Sequence, residues 1–275
     1  MSIPFTKMQG TGNDFVILDA LHGKINLAAK DIKKMADRHF GIGFDQLLII
    51  EPSSTADVDF SYRIFNADGS EAEQCGNGLR CLVRYLFDNA LTHKQNLKLS
   101  CRAGVVEAEL DGKELIKVNM GVPMFTPKKI PFSVEKEQLI YTLTLGDVEV
   151  RLGVISMGNP HAVICVDDLD TVDVAQVGAA ISSHALFPES INVGFMQVTQ
   201  PYQACLQVYE RGSGETLSCG SGACAATVYG QKIGILDREV NIIQPGGELI
   251  VSWAGGGNPV FLTGPAETIF KGQWL

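Results

Sequence analysis

Two cysteines occupy matching places in a repeated pattern, Cys75-Gly76-Asn77-Gly78 and Cys219-Gly220-Ser221-Gly222, 144 residues apart. Their surroundings repeat with them. Gly12-Asn13 is matched by Gly158-Asn159 and Gln46 by Asn192, with a step of 33 residues from Asn13 to Gln46 and again from Asn159 to Asn192. Asn66 and Glu210 each stand nine residues before their cysteine, and Glu71 and Glu215 four before. A thiol at a helix start feels the positive end of the helix dipole, which lowers its pKa from about 8.5. The glycines leave backbone N–H groups open, so the amides of Gly76, Asn77, Gly220 and Ser221 can hold an anion. An α-carboxylate bound there sits where negative charge grows as its α-proton leaves, and such donors stabilise that transition state above the ground state. Two thiols on opposite faces of one carbon would remove a proton from one side and return one to the other. The outcome is inversion.

Other uses of these residues fit less well. Free cysteine is a commonly buried residue, and Cys81, Cys101, Cys165, Cys205 and Cys224 read as packing. The spacings Cys75-x5-Cys81 and Cys219-x4-Cys224 do not match a zinc knuckle, so no metal site is expected. Gly10-Thr11-Gly12-Asn13 and Gly41-Ile42-Gly43 lack the phosphate-loop lysine and the Rossmann spacing. Gly212-Ser213-Gly214 does not fit a nucleophile elbow.

The elements that must position the two thiols can be traced in the pattern. Short strand-like stretches recur at Leu47–Ile50, Phe60–Phe65, Val105–Leu110, Leu115–Met120, Val148–Ile155, Ala162–Val166, Cys205–Tyr209 and Glu248–Trp253. Four helices are expected. Asp31–Phe40 carries Ile32, Met35, Ala36 and His39 on one face with Gly41 as its cap, and Val174–His184 is its counterpart. The other two follow Cys75, with Leu79, Leu82, Val83, Leu86 and Phe87 as an apolar stripe, and Cys219, with small side chains from Ala223 to Val228. The repeat predicts an α+β fold of two pseudo-symmetric lobes from an internal duplication, each a mostly antiparallel sheet wrapped around a central helix. The boundary falls in the proline- and lysine-rich stretch from Gly121 to Pro131.

A chain of 275 residues, 45% hydrophobic, can bury two such cores. Its net charge of −9 argues against a nucleic-acid or membrane-surface partner. The N-terminal residues have no apolar leader core and no later run approaches a membrane span. Seven cysteines, an odd and scattered set, point to a reduced, cytoplasmic setting.

The motifs together resemble the diaminopimelate epimerase family. The resemblance rests on Lys7-Met8, Gly12-Asn13-Asp14-Phe15, Arg38-His39, Asp45-Gln46, Asn66-Ala67-Asp68-Gly69-Ser70 and Glu73 through Cys81 in the first half. In the second it rests on Gly158-Asn159-Pro160-His161, Phe187-Pro188-Glu189, Ile191 to Phe195, Tyr209 to Gly212 and Cys219 to Ala225. It implies cofactor-independent interconversion of LL- and meso-2,6-diaminopimelate, in lysine and peptidoglycan precursor synthesis. It implies Cys75 and Cys219 as the catalytic pair, the former usually called donor and the latter acceptor. Substrate contacts carry over to Asn13, Gln46, Asn66, Gly76, Asn77, Asn159, Asn192, Glu210, Arg211, Gly220 and Ser221, with His161 and Glu210 tuning the thiols. The implied lobes are 1–119 completed by 265–275, and 120–264, in a homodimer. Ser218 and Ser213 replace common alanines, and Phe270 stands where a tyrosine is associated with the dimer contact.

Two rivals remain at this stage. One is another racemase or epimerase of the same fold, acting on proline or hydroxyproline; Arg211 and the extra asparagines favour a substrate with a second polar end. The other is an amino-acid binding protein in which the cysteines are incidental.

Overall fold

The computed structural model describes residues 2–112 and 114–275, and the chain divides into two compact units. The first comprises residues up to Asn119 together with Thr263–Leu275; the second is Met120–Leu262.

The first unit is built from β1 (Ile3–Gly10), β2 (Asn13–Asp19), α1 (Ala29–Ala36), β3 (Gln46–Pro52), β4 (Phe60–Asn66), β5 (Glu71–Ala72), α2 (Gly76–Asp88), β6 (Asn96–Cys101), β7 (Gly104–Asp111) and β8 (Leu115–Asn119). The second has β9 (Tyr141–Leu145), β10 (Val148–Ser156), β11 (Pro160–Cys165), α3 (Val174–Ser182), β12 (Asn192–Gln200), β13 (Gln203–Glu210), β14 (Gly214–Thr216), α4 (Gly220–Lys232), β15 (Glu239–Gln244) and β16 (Gly247–Trp253). Within β17 (Val260–Pro265) the chain returns to the first unit, which ends with β18 (Glu267–Trp274).

Pairing repeats between the two units. β1 pairs antiparallel with β2, β2 parallel with β3, β3 antiparallel with β4 and β4 parallel with β6. β10, β11, β12, β13 and β15 make the same sequence of pairings. Even the register is kept: Phe15 lies opposite Gln46, and His161 opposite Asn192. Each first strand gains one more antiparallel neighbour, β18 beside β1 and β9 beside β10. The duplicated α+β architecture read from the repeat is therefore present, with two parallel pairings among the described, mostly antiparallel, pairings of each unit.

Strand alternation sorts side chains between two helices in each unit. Val16, Leu18, Leu47 and Ile49 pack with Ile32 and Met35 of α1. Phe15, Leu48 and Ile64 point the other way, against Gly78 of α2. Both faces are covered, which is why Leu47–Ile50 is an unbroken apolar run. In the second unit Val154, Ala162, Val193 and Phe195 face Ile181 of α3, while Ile155, Val163, Met196, Leu206 and Val208 face Ala223 and Ala226 of α4.

The helices after the cysteines and the eight strand stretches fall where expected, but α1 is shorter than the predicted Asp31–Phe40. It begins at Ala29, with Asp31 accepting from the Ala28 N–H at 3.2 Å, and ends at Ala36. Asp37 is extended, and its carboxylate accepts from the His39 and Phe40 N–H groups at 2.8 Å each. That local side-chain turn outcompetes the helix. His39 is thus an exposed turn residue, and Gly41 is no cap. Gly41 sits where a Cβ would overlap the Lys34 and Met35 carbonyl oxygens. The α3 helix stops at Ser182, two residues before the predicted His184.

Candidate active site

Each cysteine is the N-cap of the central helix of its unit, with extended backbone (Cys75 φ −143°, Cys219 φ −127°). The fourth residue of each motif is glycine for packing reasons. A Cβ at Gly78 would lie 3.1 Å from the Phe15 ring and one at Gly222 3.2 Å from Val208, so each helix start is pressed against its sheet. Gly76, Asn77 and Gly220 are buried in the first turns, where the amides have no partner within the helix.

In the first unit the Cys75 sulfur accepts from the Gly78 N–H at 3.5 Å and lies 3.8 Å from Asn13 Oδ1, to which its S–H can donate. Asn13 Nδ2 donates to Asp45 Oδ2 at 2.6 Å. Gln46 Nε2 donates to Asn66 Oδ1 at 2.9 Å, Asn66 Nδ2 to Ser70 Oγ at 3.1 Å, and Gln46 Oε1 is buried without a partner. A dense ion cluster holds these loops. Arg38 grips Asp14 with two nitrogens at 2.9 and 2.8 Å and reaches Asp45 at 2.8 Å, while Lys7 pairs with Asp14 at 2.6 Å and donates to the Gly43 carbonyl. Burial would raise the Asp14 pKa, but the bonds from Arg38 and Lys7 win and hold it at about 2. Fully buried Arg80 ties the helix start to its surroundings, donating to Asn77 Oδ1 (2.9 Å), Thr11 Oγ1 (3.3 Å) and the Pro265 carbonyl (3.2 Å).

The second unit has different chemistry at equivalent positions. Glu210 takes the place of Asn66, and its Oε2 lies 3.3 Å from the Cys219 sulfur while its Oε1 accepts from Thr216 Oγ1 at 2.6 Å. Ser221 Oγ is 3.6 Å from the same sulfur. His161 stands where the first unit has Phe15, with Nε2 3.0 Å from both Asn159 Oδ1 and Ser221 Oγ; Asn159 Nδ2 donates to Ser221 at 3.2 Å. Burial, then the Arg211 charge, depresses His161 to a pKa of about 3, so the ring is neutral. Cys219 does not follow the helix-dipole expectation. Burial and then the Glu210 charge push its thiol well above the ordinary value, only partly offset by Ser221. At rest Cys219 is therefore a thiol.

Asn192 and Arg211 are spent differently from one another. Asn192 is buried, with Nδ2 donating to the Pro160 carbonyl at 2.9 Å and Oδ1 accepting from the Arg211 N–H at 2.9 Å. The Arg211 side chain is exposed and donates to the Glu189 carbonyl at 3.1 Å. Phe270 is half-exposed on β18, edge-on to Phe5 with ring centroids 5.9 Å apart. Cys81 is fully buried and its thiol is driven upward by burial, in keeping with a packing role.

Sequence reasoning missed four supporting residues. Asp45 adjoins Gln46 and Arg80 lies one helical turn beyond Asn77, so both were within reach of a spacing argument. Thr216 and Gln244, whose Oε1 accepts from the Cys219 N–H at 2.8 Å, carry no local signal.

Known proteins resemble this chain along nearly its whole length. The diaminopimelate epimerase family matches residues 5–126 and 153–269. A diaminopimelate epimerase of Chromobacterium violaceum is 48% identical over 273 residues, covering 99% of both chains, and one of Laribacter hongkongensis is 50% identical over 275 residues, also 99% of both. Among solved structures, a hydroxyproline epimerase from Agrobacterium vitis superposes with a TM-score of 0.72 at 13% identity, over 99% of this chain and 92% of that one, a likeness of fold.

Proposed function

Because this chain belongs to the diaminopimelate epimerase family, we propose that it is an isomerase that interconverts LL- and meso-2,6-diaminopimelate by cofactor-independent proton transfer between Cys75 and Cys219. The observation that carries the reading is the thiol–carboxylate pair of Cys219 and Glu210 at a helix N-terminus, together with a second thiol at the equivalent helix start.

The substrate α-carboxylate accepts from the amides of Gly76, Asn77, Gly220 and Ser221, where the helix ends favour negative charge. Glu210 takes the Cys219 proton as substrate binds. The thiolate then removes the α-proton, breaking Cα–H and forming S–H, while Cys75 S–H gives its proton to the opposite face. The Cys75 thiolate left behind regains a proton through solvent from Glu210, and the reverse reaction exchanges the roles. Neutral His161 contributes hydrogen bonds rather than charge: through Asn159 it orients the Ser221 hydroxyl toward the Cys219 sulfur. Asn13, Gln46, Asn66, Asn159 and Arg211 contact the substrate, and the partnerless Gln46 Oε1 suits an ammonium donor. Asn192 acts by holding the Arg211 backbone.

The same reading includes a cytoplasmic homodimer within lysine and peptidoglycan precursor synthesis. All seven cysteines are free, which supports a reducing compartment. The half-exposed Ile269 and Phe270 of β18 support an apolar contact there.

The test is incubation with LL-diaminopimelate in deuterated water without cofactor. Appearance of the meso form carrying α-deuterium is expected, and its loss by at least about 10²-fold in Cys75→Ala and in Cys219→Ala. Comparable exchange into L-proline, or none into diaminopimelate, would defeat the assignment.

A further inference from the structure

The orientation of the Asn13 amide is determined by chemistry. Asp45 Oδ2 accepts from the Asp14 backbone N–H at 3.1 Å, and its Oδ1 accepts from Arg38 at 2.8 Å. A carboxylate that only accepts requires the Asn13 atom 2.6 Å away to be the NH2 group. The Asn13 carbonyl oxygen is thereby turned to the Cys75 sulfur, 3.8 Å away. An oxygen in that place accepts from S–H and repels S⁻. The second unit has no such constraint: Ile191 occupies the position equivalent to Asp45, and Asn159 is oriented by His161 and Ser221 instead.

We propose that Asp45 is a positioning residue that locks the Asn13 carbonyl toward Cys75 and so keeps Cys75 protonated, ready to donate. The inference rests on Cys75 being a reacting thiol. Other titratable groups described around Cys75 in this unit act differently. Tyr62 on β4 and Cys81 on α2 interact with it electrostatically, but burial pushes both upward and leaves both neutral. Arg80 on α2 is directed to Asn77, Thr11 and Pro265, and Lys7, Asp14 and Arg38 are engaged with one another around Asp45.

The test is the pH dependence of Cys75 alkylation by iodoacetamide, mapped by peptide analysis in a Cys219→Ser background. In Asp45→Ala the Asn13 amide is free to turn its NH2 toward sulfur, and the alkylation midpoint should fall by about one pH unit or more. Asp45→Asn removes the charge but keeps the lock: the Asp14 N–H and the Asn13 NH2 both donate on one side, so the new amide oxygen stays there, while its NH2 takes the Arg38 side and Arg38 keeps its two bonds to Asp14. Its midpoint should stay near the parent value. Equal shifts in the two variants would mean that charge, not orientation, acts, and would overturn the proposal. So would an unchanged midpoint in a folded Asp45→Ala protein. Should Asp45→Ala fail to fold, Asn13→Ala removes the carbonyl directly and must also lower the midpoint; no change there overturns the idea equally. Alkylation needs no turnover, so failure of epimerisation would sink the functional reading alone, while a fixed midpoint sinks this one.

Discussion

The Cys219 sulfur lies 3.3 Å from Glu210 Oε2, and the two are held at either end: Thr216 binds the other carboxylate oxygen, and Gln244 accepts from the Cys219 backbone. The carboxylate raises the thiol pKa and is also the group able to receive its proton. These two effects separate on mutation. Glu210→Gln should move Cys219 alkylation to lower pH, because a neighbouring negative charge disfavours the thiolate. The same variant should lose about 10²-fold or more in kcat, because the proton has lost its acceptor. A midpoint that stays or rises would show that Glu210 does not govern the thiol.

His161 should leave its mark on acid stability rather than on the neutral pH–rate profile. Its folded pKa of about 3 lies below the unfolded value of about 6.5, so the unfolded chain binds more protons between them. Stability is therefore fully present above about pH 6.5 and declines as pH falls toward 3. At pH 5 the loss from this residue is on the order of 2 kcal/mol. Urea titrations at pH 7 and pH 5 should show a smaller drop for His161→Gln than for the parent. Equal drops would mean the ring is not held neutral. Asp14, lowered from 3.8 to about 2, adds stability that is present above the unfolded value and lost as pH falls between the two, below the range of those titrations, and it is common to both proteins.

Gly153 on β10 faces Tyr229 of α4 so closely that an added Cβ would overlap the ring. Gly153→Ala should cost ~1–3 kcal/mol by overpacking and lower the Tm by roughly 3–10 °C in calorimetry. An unchanged Tm would show that α4 can shift away from its sheet, contrary to the tight fit.

Substrate choice should depend on the distal carboxylate. Arg211 offers a permanently charged planar fork, and lysine has the diaminopimelate chain without that carboxylate. With about 1.5–3 kcal/mol for each hydrogen bond to a charged group, kcat/KM for L-lysine should be lower by at least about 10³-fold. Arg211→Lys should be severe for LL-diaminopimelate, since an ammonium cannot reproduce the fork. Similar values for the two substrates would point to a broad amino-acid racemase.

The duplication, the two central helices and the positions of both thiols follow from the sequence because spacing survives in a repeat: Cys75 and Cys219 head their helices, and the step from Asn13 to Gln46 equals that from Asn159 to Asn192. Amphipathic patterning is local, so α2 and the strand stretches were readable too. Protonation was not. The helix-end argument applied equally to both cysteines, yet burial and Glu210 raise Cys219, while Cys75 meets an amide oxygen held by Asp45. The early end of α1 depended on the Asp37 side chain winning two amides from the helix. Sequence separation conceals such contacts, because desolvation and hydrogen-bond direction depend on what surrounds an atom after the sheets have closed around it.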